Sequence, residues 1–393
     1  MAITDKKSGV WGLDQTFNKI NQGSIWTYSG VASLFVWGAN NIGSLGQNNT
    51  TKYSSPVQIP GSTWQYLSHG SGSTNDTNHA FATKTDGTLW GWGNGNDGGL
   101  GLNNEAKYSS PVQIGSDTNW SSQIEVTGKS SFAIKTDGTL WAWGHNTSGY
   151  GRLGLNNKTS YSSPVQIPGT TWDKINTYNF CTLATKTDGT MWGWGHGDTG
   201  RLGLNNNTSY SSPKQVPGST WGTAISGGGN FAGAIKTDGT LWMFGFNNSG
   251  QLGQNNTTTY SSPKQVPGTT WSKMSSLSGG VLAIKTDGTL WGWGSNASGR
   301  LGLNQSSNTK YSSPVQVPGT TWSKVLCHNQ SVIAVKTDNT MWTWGKNDSD
   351  WEGILGQNNA TLYSSPTQIA GTWGQGDGQI GSTDFGFMAF KDL

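Results

Sequence analysis

Short apolar runs alternate with glycine-rich polar turns along most of the chain, and no stretch shows a convincing helical period. In one copy of the pattern, Phe132–Lys135 and Thr139–Trp143 flank the residues Asp137 and Gly138. Asp-Gly between two β-prone runs is a strong hairpin signal, because a tight primed turn needs positive φ. This stretch therefore predicts two antiparallel strands joined by a tight turn.

The same copy continues with further strand signals. After Gly144 comes a long loop rich in Asn, Ser and Gly, which leads into Tyr161–Pro164 and the short run Val165–Ile167. Pro168-Gly169 ends this run, and Trp172 opens the next strand. One repeat is therefore predicted to contain four short strands.

The repeat is anchored by an aromatic step that ends in glycine, most often Trp-x-Trp-Gly. This step ends at Gly38, Gly93, Gly144, Gly195, Gly245, Gly294 and Gly345. A period of roughly fifty residues indicates a propeller, a solenoid or an array. Because each unit has four strands and occurs seven times, we predict an all-β protein with the architecture of a seven-bladed β-propeller.

The two ends of the repeat region complement each other. The segment Gly386–Leu393 matches the second strand of a repeat, whereas the first aromatic step, Ser33–Gly38, has no such strand before it. We predict that Phe385–Lys391 pairs near Leu34–Trp37, so that one blade is shared and the ring has no open edge. The predicted domains are an arm over residues 1–30 and the propeller over residues 31–393.

These motifs resemble those of the regulator of chromosome condensation repeat family. The resemblance rests on the Asp-Gly hairpin, the Trp-x-Trp-Gly step, the Asn-x-x-Gly-x-Leu-Gly loop and the proline-led strand, and it covers residues 31–393. It implies a seven-bladed propeller. It does not specify a function, since one fold hosts unrelated activities, and no charged face matches the family's exchange factors.

Composition narrows the classes of partner. Charged residues make up 11% of the chain, against ~25% in ordinary soluble proteins. The net charge is +3 and no basic run exists beyond Lys6-Lys7, so we expect no nucleic-acid binding. No apolar stretch approaches the ~18 residues of a membrane span. The first residues lack the apolar core of a secretory signal, and we expect synthesis in a cytoplasm without export by the general route.

Candidate chemistry is weak. Gly93–Gly98 matches a dinucleotide-binding pattern but precedes no helix. His145 and His196 occupy the same position in neighbouring repeats, but no third metal ligand is apparent. The acidic insertion Asn347–Ile354 lacks the spacing of a calcium loop. We therefore predict no cofactor, no metal site and no enzymatic activity.

Residues 1–30 do not fit the repeat. The segment from residue 8 to residue 26 is similar to the openings of bacteriophage virion and tail-fibre proteins, and Leu13–Ile20 can form amphipathic turns. This resemblance implies an attachment arm that contacts other virion proteins, with an apolar set of anchors. The predicted anchors are Trp11, Leu13, Phe17 and Trp26. The alternative is a strap that lies on the propeller.

Variation between repeats is confined to two classes of loop. If the strands of a blade are named A to D from the axis outward, the A–B and C–D loops differ between repeats, whereas the Asp-Gly turns and Pro-Gly corners hardly change. In an up-and-down blade the two variable classes emerge on one face, and binding surfaces usually lie on such loops. The predicted exposed binding groups are His69, His79, His145, Tyr178, His196, Phe246, Lys346 and Trp351. Unconstrained drift of these loops is the alternative.

Two function classes remain open. The first is a non-enzymatic bacteriophage virion protein, a tail fibre, adhesin or decoration protein, whose propeller binds a host-surface glycan or protein or a virion partner. In that case the protein is located in the virion. The second is a soluble protein-binding regulator or inhibitor, similar to exchange factors or to β-lactamase-inhibiting propellers.

Overall fold

A computed structural model describes residues 33–61, 63–70, 79–147, 149–305, 308–328, 330–347, 353–373, 380–383 and 386–391. The predicted arm, with Trp11, Leu13, Phe17 and Trp26, lies outside the described residues, and so does Trp351.

The described residues form seven antiparallel sheets, each with four main strands. Within a sheet the strands follow the order A–B–C–D, and the A strands of neighbouring sheets contact each other around the axis. The sheets are therefore the blades of a seven-bladed β-propeller, as the repeat predicts. Helical structure in these residues is limited to three single 3-10 turns, and none of it is long and apolar enough to cross a membrane.

The blades are numbered from the one that contains the first described strand, and the strands of each blade follow in the order A, B, C, D. Blade 1 has Ile380–Thr383, Gly386–Lys391, Ser33–Gly38 and Tyr53–Gln58; blade 2 has Trp64–Leu67, His79–Lys84, Leu89–Gly93 and Tyr108–Gln113; blade 3 has Trp120–Thr127, Ser130–Lys135, Leu140–Gly144 and Tyr161–Ile167; blade 4 has Trp172–Tyr178, Cys181–Lys186, Met191–Gly195 and Tyr210–Gln215. Blade 5 has Trp221–Gly227, Phe231–Lys236, Leu241–Gly245 and Tyr260–Gln265; blade 6 has Trp271–Ser276, Gly280–Lys285, Leu290–Ser295 and Lys310–Gln316; blade 7 has Trp322–His328, Ser331–Lys336, Met341–Gly345 and Tyr363–Ile369. A short strand His69–Gly70 pairs in parallel with strand A of blade 3, and the 3-10 turns are Asn96–Gly98, Asp198–Gly200 and Ala297–Gly299.

Blade 1 is built from both ends of the described chain. Gly386–Lys391 runs antiparallel to Ser33–Gly38, with Leu34 opposite Phe390 and Trp37 opposite Phe387. The predicted sharing of this blade is confirmed. The ring is closed by hydrogen bonds and buried side chains rather than by a covalent link.

A belt of buried indole hydrogen bonds joins neighbouring blades. The last Trp of an aromatic step donates its Nε1–H to a carbonyl in the C–D loop of the preceding blade, at 2.9–3.1 Å. The donor and acceptor pairs are Trp37 with Ile354, Trp92 with Ser44, Trp143 with Gly99, Trp194 with Arg152, Trp293 with Gln251, and Trp344 with Arg300. A buried carbonyl left without a donor costs about 1–3 kcal/mol, so each pair fixes one blade against the next.

At the junction of blades 4 and 5 the equivalent buried carbonyl accepts its hydrogen bond from a different residue. Phe244 replaces the last Trp there and has no donor. Tyr178 donates its hydroxyl to the carbonyl of Arg201 at 2.6 Å instead, and its side chain is only 1% exposed. The prediction that Tyr178 is an exposed binding group is therefore wrong, because its hydroxyl fills a gap in the belt.

In each of blades 2 to 7 a lysine ammonium lies between two indoles. In blade 4, Trp172 packs edge-on against Trp192 and Trp194. The ammonium of Lys186 lies 4.7 Å and 5.0 Å from the ring centres of Trp172 and Trp192. Such a cation–π contact contributes about 0.5–1 kcal/mol at an exposed site. The same arrangement recurs in blades 2, 3, 5, 6 and 7, which explains why the Lys before these turns does not vary.

The two classes of loop lie on opposite faces. In blade 3 the N–H of His145, at the start of the C–D loop, donates to the carbonyl of Lys129 in the A–B turn at 3.0 Å. At the other end of the sheet, Trp172 N donates to the carbonyl of Gly138 at 3.0 Å, which joins a Pro-Gly corner to an Asp-Gly turn. We call the first side the loop face and the second the turn face. The variable positions therefore share the loop face.

Candidate functional site

Four predicted binding residues begin the C–D loops of four blades. His145, His196, Phe246 and Lys346 are all half-buried. The backbone N–H of each donates to the carbonyl just before strand B of its own blade, at 3.0–3.1 Å. Their backbone is thus fixed by the fold, whereas the side chain at this position differs from blade to blade.

One predicted binding residue is placed elsewhere. His79 is 1% exposed, and its Nε2 lies 2.8 Å from Ser131 Oγ of blade 3. Its ring packs edge-on against Phe81, with 5.4 Å between ring centres. The prediction that His79 is exposed is wrong, because this residue opens strand B of blade 2 and is covered by the next blade. For His69 the structure describes only the backbone pairing with Glu125.

The two histidines considered as a metal pair have separate contacts. The His145 Nε2 atom lies 2.9 Å from Thr147 Oγ1, and the His196 Nε2 atom lies 2.8 Å from Asp198 Oδ2. Burial, and then the charge of Arg152, lower the pKa of His145. In the described part of the chain, no group of three His, Cys, Asp or Glu side chains is arranged to hold a metal ion.

His196 instead belongs to an aromatic cluster between blades 3 and 4. Its ring stacks on Tyr150 with ring centres 3.8 Å apart and an angle of 20° between the planes. Tyr150 in turn lies 6.4 Å from Phe180, and the guanidinium carbon of Arg152 lies 4.3 Å from the Phe180 ring centre. We call these four residues, together with the neighbouring Asp198 and Arg201, the blade 3–4 cluster. It is assembled from the C–D loop of blade 3 and both loops of blade 4.

Phe180 has an unusual backbone. It lies in the tight A–B turn of blade 4, and its φ is +70°. The equivalent residues before strand B in blades 3 and 5, Lys129 and Asn230, do not have positive φ. A left-handed conformation costs an L-residue about 1–2 kcal/mol, and for a bulky residue it is rare. Strain of this kind is often kept where a side chain must be presented to a ligand.

Phe180 is also exposed. Its relative exposure is 38%, and it and Leu362 are the large apolar side chains that are exposed among the described residues. Glycine or asparagine is the usual choice at a hairpin position with positive φ. The aromatic residue therefore gives up local stability and adds apolar surface at the loop face.

The positive charges of the cluster are buried, and its negative charge is exposed. Arg152 and Arg201 are each 4% exposed. Burial lowers the pKa of Arg152 to about 10, so the guanidinium stays charged at neutral pH. The Nε–H of Arg201 donates to the backbone carbonyl of Asp198 at 2.8 Å, whereas the Asp198 carboxylate is 65% exposed. The carboxylate is therefore the charge of this group that is most exposed to solvent.

Tyr150, Arg152 and Phe180 were not among the binding residues predicted from the sequence. Phe180 stands inside a loop recognised as variable, and a large aromatic residue in a two-residue hairpin turn was the available signal. Tyr150 carries no such signal, because its contact with His196 depends on the distance between two blades.

Comparison with known proteins supports this description. The family model for the regulator of chromosome condensation (RCC1) repeat matches residues 86–134, 137–175, 188–235, 238–281 and 287–335.

Curated relatives match a smaller part of the chain. The ultraviolet-B receptor UVR8 of Arabidopsis thaliana is 28% identical over 142 residues, which is 36% of this chain and 31% of the receptor. The X-linked retinitis pigmentosa GTPase regulator of Canis lupus familiaris is 27% identical over 141 residues, 35% of this chain and 14% of that protein. The matched segments span about a third or less of these relatives.

Two solved structures share the fold over nearly the whole chain. Prp20p from Saccharomyces cerevisiae has a TM-score of 0.76 at 17% identity, covering 98% of this chain and 96% of that chain. Human WBSCR16 has a TM-score of 0.78 at 18% identity, covering 92% and 99%. Since the repeat model matches more than half of the sequence, the chain belongs to the regulator of chromosome condensation (RCC1) repeat family.

Proposed function

We propose that this protein is a non-enzymatic, protein-binding propeller of the regulator type and that its partner docks on the loop face. The observation that carries the proposal is the contrast between the two faces. The turn face repeats the same Asp-Gly turns and indole–lysine contacts, while the loop face presents different side chains from a backbone held in the same way. A rigid scaffold with individual loops is the usual form of a recognition surface.

The relatives support a binding role. The structural study of Prp20p describes its binding to Gsp1p and histones, UVR8 is named as a receptor, and the retinitis pigmentosa protein as a GTPase regulator. These are the partners and roles of those proteins, and the short matched segments do not transfer them to this chain. They favour a protein-binding regulator over a structural component of a particle.

The chemistry of the reactive groups also fits a binding role. Burial raises the pKa of the Cys181 and Cys327 thiols to about 12, which makes them poor nucleophiles. Hydrogen bonds from Thr190 lower the pKa of Asp188 in its turn, so this carboxylate stays ionised and is a poor general acid. The same Thr-to-Asp contact recurs in five other blades.

The virion hypothesis rests on residues 1–30, which the structure does not describe. It stays a prediction, together with the virion location, the virion partners and a host-surface glycan. Localising the protein in purified particles tests it.

A blocking experiment tests the proposed function. Arginine is placed at exposed loop-face positions, Thr147→Arg with Asn248→Arg, and at exposed turn-face positions, Ser116→Arg with Thr170→Arg. Each variant and the wild type capture proteins from extracts of the encoding organism, and each captured protein is then purified and titrated by calorimetry.

The proposal requires a purified partner whose affinity falls only with the loop-face pair. A partner lost only with the turn-face pair would place the binding site on the other side. Binding to glycans on an array, with no protein partner, would show that the class of ligand is wrong.

A further inference from the structure

We propose that the blade 3–4 cluster binds an arginine side chain of the partner protein, with Phe180 and Asp198 as the two recognising groups. This inference rests on the proposed protein-binding function and adds to it the position of the main anchor and its chemistry. The cluster combines an exposed ring, an exposed carboxylate and a strained backbone at one place on the loop face.

The shape of the cluster suits a flat group. Tyr150 and His196 are stacked at 3.8 Å, and Phe180 stands beside Tyr150 with part of its ring in solvent. Arg152 already lies over the Phe180 ring, which shows that this ring accepts a guanidinium. Arginine stacks on aromatic faces through its planar guanidinium, whereas lysine carries a compact, strongly hydrated ammonium.

The charge that the cluster exposes to solvent is negative. Arg152 is buried against Phe180, and Arg201 is buried and donates to the carbonyl of Asp198, while the Asp198 carboxylate is exposed next to the stacked rings. The His196 imidazole lies against Oδ2 of that carboxylate, and a carboxylate accepts hydrogen bonds at both oxygens. An incoming guanidinium thus has a hydrogen-bond acceptor beside an aromatic surface, which is the setting in which arginine is a frequent hot-spot residue.

The other charges around the cluster are either buried, as in Arg152 and Arg201, or paired with each other. Lys129 and Asp97 form an ion pair at 2.8 Å at the edge of the cluster, and both side chains are 34% exposed. Their charges offset each other. Asp198 remains the most exposed charge among these groups.

The A–B turn is held in place from the other side. The amide of Asn179 donates to Asn230 Oδ1 of blade 5 at 2.7 Å, and the carbonyl of Phe180 accepts the N–H of His196 at 3.1 Å. The ring is therefore presented by a fixed turn. A preorganised anchor loses less conformational freedom on binding than a mobile one.

The test uses defined peptides, since the partner is unidentified. Wild-type protein is titrated with Ac-Gly-Arg-Gly-NH2, Ac-Gly-Lys-Gly-NH2 and Ac-Gly-Glu-Gly-NH2, and the histidine ring signals are followed by NMR. The chain has five histidines, so the His196 signal can be assigned with a His196→Asn variant.

The variants are Phe180→Gly and Asp198→Asn, and the matched control is Leu362→Gly. Glycine suits the positive φ of position 180, so this change keeps the turn. Leu362 is 37% exposed, close to the 38% of Phe180, and it lies in the C–D loop of blade 7, away from the cluster.

The inference predicts saturable shifts of His196 with the arginine peptide, at a Kd on the order of millimolar, and binding about five-fold weaker with the lysine peptide. Both cluster variants should lose the shifts, and Leu362→Gly should keep them. Equal shifts with the glutamate peptide, or unchanged binding by Phe180→Gly, would overturn it. For the full partner we expect Phe180→Gly to weaken binding roughly 30-fold.

Failure of this inference is distinguishable from failure of the proposed function. If Thr147→Arg with Asn248→Arg abolishes partner binding while Phe180→Gly leaves it intact, the partner docks on the loop face but Phe180 is not its anchor. If only the turn-face pair abolishes partner binding, the proposed function itself is wrong.

Discussion

The hydroxyl of Tyr178 lets the contribution of the hydrogen-bond belt be measured at one junction. It donates to the buried carbonyl of Arg201 at 2.6 Å, because Phe244 brings no indole to this junction. Burial raises the pKa of Tyr178 well above its usual value, so the phenol remains a donor. We expect Tyr178→Phe to lower the free energy of unfolding by about 1–3 kcal/mol, since the carbonyl loses its donor.

Urea unfolding, followed by far-UV circular dichroism, measures this change through the transition midpoint at constant slope. Tyr210→Phe is the matched control, because the hydroxyl of Tyr210 has only a long, partly exposed contact of 3.4 Å with Asn206. The control should change the free energy of unfolding by less than about 0.5 kcal/mol.

Exchanging the residues at positions 178 and 244 tests whether an indole can replace the Tyr178 hydroxyl as the donor to the Arg201 carbonyl. At the junction of blades 3 and 4, Thr127 and Trp194 stand where Tyr178 and Phe244 stand one blade later. We expect Phe244→Trp to destabilise the wild type, because the larger ring overpacks the junction. The same substitution should stabilise the Tyr178→Thr variant, so that the two substitutions show a favourable coupling energy of about 1 kcal/mol or more. If Tyr178→Phe behaves like the control, or if the two substitutions are simply additive, the belt does not hold this junction together.

Further predictions concern acid stability, strain, closure and the arm. Burial lowers the pKa of His328 to about 4, so the folded protein binds the proton of this imidazole more weakly than the unfolded chain does. The contribution of neutral His328 to the free energy of unfolding is complete above about pH 6.5, and about 3 kcal/mol is lost as the pH falls towards 4. Urea midpoints at pH 7 and pH 4.5 should show this loss in the wild type, and His328→Phe should reduce the difference. Phe180→Gly should leave the free energy of unfolding unchanged or raise it by about 1 kcal/mol, since relief of strain offsets the lost contact with Arg152; a loss of stability in thermal melts would contradict the strain argument. A chain that stops at residue 385 loses the strand Gly386–Lys391, whose buried Phe387, Met388 and Phe390 contribute roughly 1.5–3 kcal/mol each. It should aggregate or fail to fold cooperatively, as measured by size-exclusion chromatography and calorimetry. Under the virion hypothesis, deleting residues 1–26 should leave a folded propeller that no longer joins the particle, and a truncated protein that still assembles would show that the arm is only a strap.

The sequence alone determined the architecture. A hairpin turn such as Asp137-Gly138 requires positive φ at its glycine and defines a pair of neighbouring strands. The number of aromatic steps gives the number of blades. Complementary end segments predicted the shared blade, since Gly386–Lys391 has the pattern that Ser33–Gly38 lacks. The alternation of constant and variable turns also predicted that the loops share one face. These features depend on neighbours along the chain, which a sequence displays directly.

The tertiary structure decided which side chains of the loop face reach solvent. The sequence assigns His79 and Tyr178 to variable loops, yet the structure places both in strands that end at a blade junction, where they are buried. His79 lies against Ser131 of the next blade, and Tyr178 donates to the Arg201 carbonyl because the next blade carries Phe244 in place of an indole. Phe180 is apolar, yet it is exposed because its turn points away from the core. Burial at a blade junction depends on residues of the neighbouring repeat, such as Ser131 for His79 and Phe244 for Tyr178, which are far apart in the sequence. Their distance is set by how the blades pack, and the repeat pattern does not contain that information.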